Sequence, residues 1–228
     1  MNIVITGANR GIGLELARQY LARGDRVYAA VRIPAKADQL AALLKSSGGR
    51  LIISACDVAS EASVRAFAAT VTEPVDVLIN NAGVRIKPDD FNKLNLDEAA
   101  QVFQVNALGP LRVATALLPM LRRAQGAKIA NISSAMGSIE GNTSGGSYGY
   151  RMSKAALNMA TRSLAQDLHW HGIIAVVLSP GWVKTDMGGM SAPTLVADSA
   201  ACLLRVIDRL TLKDSGGYFG FQGERIAW

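Results

Sequence analysis

The sequence predicts an α/β fold: a doubly wound parallel sheet of about seven strands with helices on both faces. Three observations carry that reading. Short apolar, β-branched runs alternate with segments whose apolar residues recur near every 3.6 positions. The strand–helix–strand unit repeats along the whole chain, and such units connect parallel strands by right-handed crossovers. No boundary rich in proline and polar residues divides the 228 residues, so one domain over 1–228 is expected.

Asn2–Thr6 reads as the first strand, followed by a helix from Ile12 to Ala22 that Gly24 stops. Arg26–Val31 is the second strand, and Ala35–Lys45 a helix ended by Gly48-Gly49. Arg50–Cys56 is the third strand, and Ser60 opens a helix to about Thr70. Val75–Asn80 is the fourth strand. After a loop containing Pro88, Leu96 to Arg123 is helical, with a break or kink expected at Gly109-Pro110. Ala127–Ser133 is a strand, Ser147–His171 a long helix, Ile173–Ser179 a strand and Ala197–Arg209 the last helix. A short strand near Tyr218-Phe219 completes the pattern.

Composition narrows the function. Half of the residues are hydrophobic, enough for a sizeable core. The net charge is +6, but the cations form no run and few aromatics lie among them, so no nucleic-acid partner is expected. No apolar run approaches the roughly 18 residues of a membrane span, and no signal peptide precedes the first strand. Cys56 and Cys202 have no metal-type spacing and read as reduced thiols, so the expected location is cytoplasmic and no metal site is expected.

In doubly wound sheets, ligands bind beyond the carboxyl ends of the strands. The first such loop, Gly7-Ala8-Asn9-Arg10-Gly11-Ile12-Gly13, runs from a strand into a helix. Free N–H groups at a helix start attract phosphate, and glycine lets backbone approach a pyrophosphate closely. The spacing, G-x-x-x-G-x-G rather than G-x-G-x-x-G, reads as a phosphate-binding cofactor loop or as a tight turn without a ligand. The second strand ends in Arg32, where an NAD-binding sheet carries an acid; Arg10 and Arg32 together favour the 2′-phosphate of NADP(H). Asp57, before Val58, can accept from an adenine amino group or cap the next helix, although Ser60 suits the cap better. Asn80-Asn81-Ala82-Gly83 ends the fourth strand with small residues and amides that a flat cofactor can lie against.

Tyr150 and Lys154 are four residues apart, on one side of a helix. An ammonium there lowers the phenol pKa and makes tyrosine a usable proton donor. Ser133-Ser134 ends a strand at the same edge and can hold a carbonyl; the two side chains point to opposite faces, so only one serves. Asn106 puts an amide on an apolar helix face, where it must bond a neighbouring carbonyl or hold a water.

These residues together resemble the short-chain dehydrogenase/reductase family over essentially the whole chain. Thr6 to Gly13, Asn80 to Gly83, Asn106, Ser134, Tyr150 with Lys154, and Pro180-Gly181 with Thr185 match its motifs in order. Asn142 to Lys154 and Gly223 to Trp228 are similar to the C-factor and sniffer-like carbonyl reductases within it. The resemblance implies that Tyr150 is the acid/base, that Lys154 lowers its pKa and holds the nicotinamide ribose, and that Ser134 orients the carbonyl. It further implies that Asn106 anchors a proton-relay water and that Pro180, Gly181, Trp182, Val183 and Thr185 lie along the nicotinamide. Tyr148 has no lysine four residues on and is the poorer acid. The Ser134–Tyr150 spacing exceeds that of most of the family, through the Gly/Ser-rich Gly141–Ser147.

The expected activity is NADPH-dependent reduction of an aldehyde, ketone or quinone. Two rival readings are an NADP-binding signalling protein with little turnover and an alcohol dehydrogenase working in the oxidising direction. Residues 184–196 are expected to cover the pocket, with Met187 and Met190 as adaptable walls. Pairing through the two long helices suggests a homodimer, although Val102, Leu111, Leu157 and Leu164 also read as core.

Overall fold

Seven strands carry the molecule: β1 (Asn2–Thr6), β2 (Arg26–Val31), β3 (Leu51–Ala55), β4 (Val77–Asn80), β5 (Lys128–Ile132), β6 (Ile174–Ser179) and β7 (Tyr218–Gly220). In the computed structural model, which describes residues 1–86 and 90–228, they form one all-parallel sheet in the order β3-β2-β1-β4-β5-β6-β7. The expected loop at Pro88 lies outside the described residues. Strand order reverses between β1 and β4, where a doubly wound sheet opens its crevice.

The helices are α1 (Gly11–Ala22), α2 (Asp38–Ser46), α3 (Glu61–Ala68), α4 (Leu96–Phe103), α5 (Gly109–Leu121), α6 (Tyr148–Asp167) and α7 (Val196–Arg209). Two apolar layers hold them to the sheet. Leu16 and Tyr20 of α1 pack with Leu203 and Ile207 of α7 on one face. Phe67 of α3, Val113 and Leu117 of α5 and Ala165 of α6 pack on the other. Central strands such as β6, buried at every position, read as unbroken apolar runs because both faces are covered.

Three local outcomes differ from expectation. The second helix starts at Asp38 rather than Ala35, because Pro34 opens a separate short turn and Ala37 leaves helical geometry (φ −105, ψ 52). α6 stops at Asp167, and His169–His171 form a short turn closed by Gly172 at φ +67. The kink between the helices before β5 is a turn of π-helix at Gln104–Leu108, one residue before Gly109-Pro110. Pro110 has no N–H to donate to the carbonyl four residues earlier, so the ladder must widen there. Gly109 is also required: a Cβ on it would lie 3.0 Å from Val58 Cγ2. The kink turns Asn106 inward, fully buried.

Val102 and Leu157 are core residues, and Leu111 and Leu164 are half-buried, so none of the four forms an open pairing face. Among the described residues, no helix is long and apolar enough to cross a membrane, and no three His, Cys, Asp or Glu side chains cluster as a metal site. Both cysteines are free.

Candidate active site

The turn after β1 is laced to the turn after β4. Thr6 Oγ1 accepts from the backbone N–H groups of Asn81 and Ala82, each at 3.0 Å. Asn81 Nδ2 donates to the carbonyls of Thr6 (3.0 Å) and Gly7 (3.1 Å). The glycines make this possible. A Cβ on Gly7, at φ +66, would lie 2.9 Å from Ala82 Cα; one on Gly13 would lie 2.4 Å from Gly7 O and from Asn81 Nδ2. Their first service is therefore chain-to-chain approach. Gly11, at φ +53, faces Thr185, whose Cγ2 lies 3.4 Å from where its Cβ would be. Asn9 and Ile12, beside it in the loop, are half-buried. No side chain caps α1, where Arg10 stands in the capping position. The helix start thus keeps N–H groups for an anion, and a cofactor pyrophosphate fits the site.

Arg32 is exposed just past β2. Arg10 is exposed too, but its Nη1 pairs with Asp186 Oδ2 at 2.9 Å, bridging the glycine loop and the segment after β6. Asp57 Oδ1 accepts from Ala59 N (3.0 Å), an Asx turn that leaves the other carboxylate oxygen for a ligand. Ser60, not Asp57, caps α3. Val58 is buried against Gly109. Asn80, expected among the cofactor-facing residues, turns its side chain into the interior. Its Nδ2 donates to Asn131 Oδ1 (2.8 Å), and Asn131 donates to Thr161 (2.8 Å). The side chains of successive strand residues alternate in direction, so Asn81, not Asn80, reaches the glycine loop.

Beyond that clasp the β4 loop runs along the catalytic candidates. A Cβ on Gly83 would sit 3.4 Å from Asn106 Oδ1 and 3.7 Å from Lys154 Nζ. Asn106 Oδ1 accepts from Val84 N (2.9 Å); its Nδ2 donates to Val84 O (2.8 Å) and Ser153 Oγ (3.0 Å). Of the two courses open to this amide, it bonds its neighbours. Both side-chain donors are spent on pinning the loop to α6, while the Asn106 backbone carbonyl, four residues before Pro110, receives no N–H from that proline.

Lys154 is buried and donates to Ile132 O at 2.8 Å. Burial pulls its ammonium down to about 8. Its Nζ lies 5.8 Å from the Tyr150 ring centroid. Burial raises the Tyr150 phenol, while the neighbouring Ser134 hydroxyl and the charge of Arg85 oppose that rise. Ser134, Tyr150, Lys154 and Asn106 are thus gathered in one cluster. Ser133 is buried with its hydroxyl donating to Asn158 (2.7 Å), and Asn158 donates to Gly137 O (3.1 Å), so of the two serines only Ser134 faces the phenol. Tyr218 steadies the same turn by donating to Ser134 O, and burial pushes its own phenol up to about 12.

Three contributors were not singled out in the sequence. Asn81 sits within a motif, yet only its contacts distinguish it from Asn80. Tyr218 comes from β7. Arg85 lies two residues past that motif, with its guanidinium carbon 5.5 Å from the Tyr150 ring centroid.

The segment after β6 closes the other side. Gly181, at φ +80, packs on Phe221; a Cβ there would lie 2.9 Å from its ring. Pro180 O accepts from Ser199 (2.7 Å), and Thr185 Oγ1 accepts from Gly188 N (3.0 Å). Val183 is buried. Met187 and Met190, expected as pocket walls, are exposed, Met190 by 82%. A cavity of about 510 Å³ lies elsewhere, between α7 and β7, and shares none of the catalytic candidates.

A doubly wound sheet with a glycine turn at its crevice and a tyrosine–lysine–serine cluster beside it defines a dinucleotide-dependent oxidoreductase. The short chain dehydrogenase family model matches residues 1–195, and the chain belongs to that family of oxidoreductases. It is 51% identical over 166 residues to the C-signal protein of Myxococcus xanthus, spanning 72% of this chain and all of that one. Its fold is similar to that of the carbonyl reductase Sniffer of D. melanogaster: TM-score 0.95, 37% identity, 100% and 99% of the two chains covered. The NADPH-bound carbonyl reductase from chicken fatty liver is similar in the same way, with TM-score 0.94, 37% identity and 100% and 98% covered.

Proposed function

We propose that the whole chain acts as one catalytic domain, an NADPH-dependent reductase of aldehydes, ketones or quinones. The observation that carries the reading is the Tyr150 phenol beside Ser134, with the buried Lys154 ammonium 5.8 Å from its ring centroid and Asn106 buried nearby. The likeness to an NADPH-bound carbonyl reductase supports the choice of cofactor and reaction.

When bound, the cofactor supplies a hydride to the carbonyl carbon. The uncapped start of α1 and the glycine loop hold its pyrophosphate, Arg10 and Arg32 its 2′-phosphate, Asp57 and Val58 its adenine side. Ala82 and Gly83 border the ribose and nicotinamide, which Pro180, Gly181, Val183 and Thr185 flank from the other side. Ser134 orients the carbonyl oxygen, and Tyr150 passes its proton to that oxygen as negative charge builds. Lys154 holds the nicotinamide ribose. Asn106 pins the β4 loop to α6 with its side chain and anchors the proton-relay water.

NADPH oxidation followed by absorbance across aldehydes, ketones and quinones tests the reading; turnover with none of them overturns it. A second reading, a signalling protein with little turnover, is favoured by the C-signal likeness. Intact Tyr150, Lys154 and Ser134 weigh against it. Oxidation of alcohols with NADP+ or NAD+ in the same assay separates the oxidising alternative. A homodimer through the α6 face that exposes Met152 and Met159, in a cytoplasm that keeps both cysteines reduced, completes the proposal; light scattering reads the assembly.

A further inference from the structure

Two cations approach the Tyr150 ring, and they differ in what they leave free. Lys154 is buried and its ammonium is spent on Ile132 O. Arg85 is exposed, and its guanidinium carbon stands 5.5 Å from the ring centroid. Among the described residues, no carboxylate forms an ion pair with it. The loop that carries it is held at two points just before it. Val84 is clamped to Asn106 by a pair of hydrogen bonds, and Asn81 is clasped to the glycine loop. The base of the arginine is therefore fixed relative to Tyr150 while its head remains in solvent.

A carbonyl held at Tyr150 and Ser134 would have this guanidinium as a neighbour. We propose that Arg85 is a specificity-determining residue, selecting carbonyl substrates that carry a carboxylate a short distance from the reacting carbon. The inference rests on the reductase reading of the site. A planar guanidinium matches a carboxylate with two parallel hydrogen bonds. The chain's net charge of +6 attracts such substrates as well.

The test compares benzaldehyde with 4-carboxybenzaldehyde, NADPH being the reductant, in the wild type and in Arg85→Gln. The wild type should prefer the carboxylate, and the ratio of kcat/KM values between the two aldehydes should fall about 10- to 100-fold in Arg85→Gln. Arg85→Lys should recover part of it. NADPH affinity should not follow. Equal losses on both aldehydes, with the alkaline limb of the pH profile displaced, would mean that Arg85 only adjusts the phenol, and would overturn the proposal. A matching loss of NADPH affinity would overturn it too.

A binding arm separates this from failure of the reductase reading. In the presence of NADP+, 4-(hydroxymethyl)benzoate should bind the wild type about tenfold or more tighter than benzyl alcohol by calorimetry, and Arg85→Gln should erase the difference. Equal binding in the wild type sinks the carboxylate proposal whatever the turnover assays give. Tighter binding of the carboxylate without turnover would sink the reductase reading alone.

Discussion

Behind Tyr150 the chain supplies its own partners: Asn106, Lys154, Asn158 and Ser133 are buried and hydrogen-bonded within the fold. Arg85 is exposed beside the Tyr150 ring, and Arg10, Arg32, Trp182 and Met190 are exposed in the loops beyond the strands. A buried network that is already satisfied needs no rearrangement when charge develops, so it suits the reaction common to every substrate. Exposed cations and apolar side chains keep their surface for a ligand. Under the proposed function, the contrast puts chemistry at the rear wall and choice of ligand at the rim, and each variant below strains one side of it.

The rear wall should give the largest effect. Tyr150→Phe removes one oxygen and keeps the ring, so folding and NADPH binding should survive while turnover drops about 10²- to 10⁴-fold. Tyr148→Phe should cost far less. Near-normal turnover in Tyr150→Phe would place the acid elsewhere.

The same contrast explains what could be read in advance. Tyr150 and Lys154 are one helical turn apart, and Gly7 to Gly13 lie within one turn of chain, so local spacing carries their meaning. Arg85 meets Tyr150, Tyr218 meets Ser134, and Arg10 meets Asp186 only through the folded topology. Spacing along a chain cannot encode such meetings. Asn80 and Asn81 show the limit at one position: the motif marks both, and only strand geometry decides which side chain faces the crevice. The kink at Gly109-Pro110 is legible from proline, but its form, a π turn that leaves Asn106 buried, and the closeness of Val58 to Gly109 are visible only in the fold.

The next effect is a pH dependence set by burial. Lys154 titrates near 8 in the folded protein and ordinarily at 10.5. Below pH 8 the fold must bury an ammonium; above 10.5 the lysine is neutral folded or unfolded. Its contribution to stability is therefore missing below pH 8 and gained as pH rises from 8 to 10.5, by on the order of 3 kcal/mol. Lys154→Met carries no such titration. Relative to the methionine variant, the wild type should gain several degrees in Tm between pH 7 and pH 10.5. A gap that does not change with pH would show that the ammonium is not desolvated as its position indicates.

At the rim the effects are smaller and specific to the ligand. Arg32 has no carboxylate in an ion pair among the described residues, so its whole charge is available to a 2′-phosphate. Arg32→Asp should lower the preference for NADPH over NADH about 10- to 100-fold at low salt and less at physiological salt. Wild-type protein that binds both cofactors equally would remove the basis for assigning Arg32 to the phosphate.

Arg10 is the sharper case, because its charge is already engaged. Its ion pair with Asp186 leaves both side chains largely exposed, 66% and 79%, and such surface pairs contribute only about 0–1 kcal/mol. A phosphate that recruits Arg10 must loosen that pair or share it, and a nearby carboxylate repels the phosphate directly. Asp186→Asn removes both penalties while keeping the shape of the side chain. NADPH should then bind about two- to fivefold tighter at low salt, NADH should be unaffected, and the gain should shrink as salt rises. Stability should barely change. If NADH gains as much as NADPH, the pair acts by holding the segment after β6 against the glycine loop, and Arg10 owes the 2′-phosphate nothing.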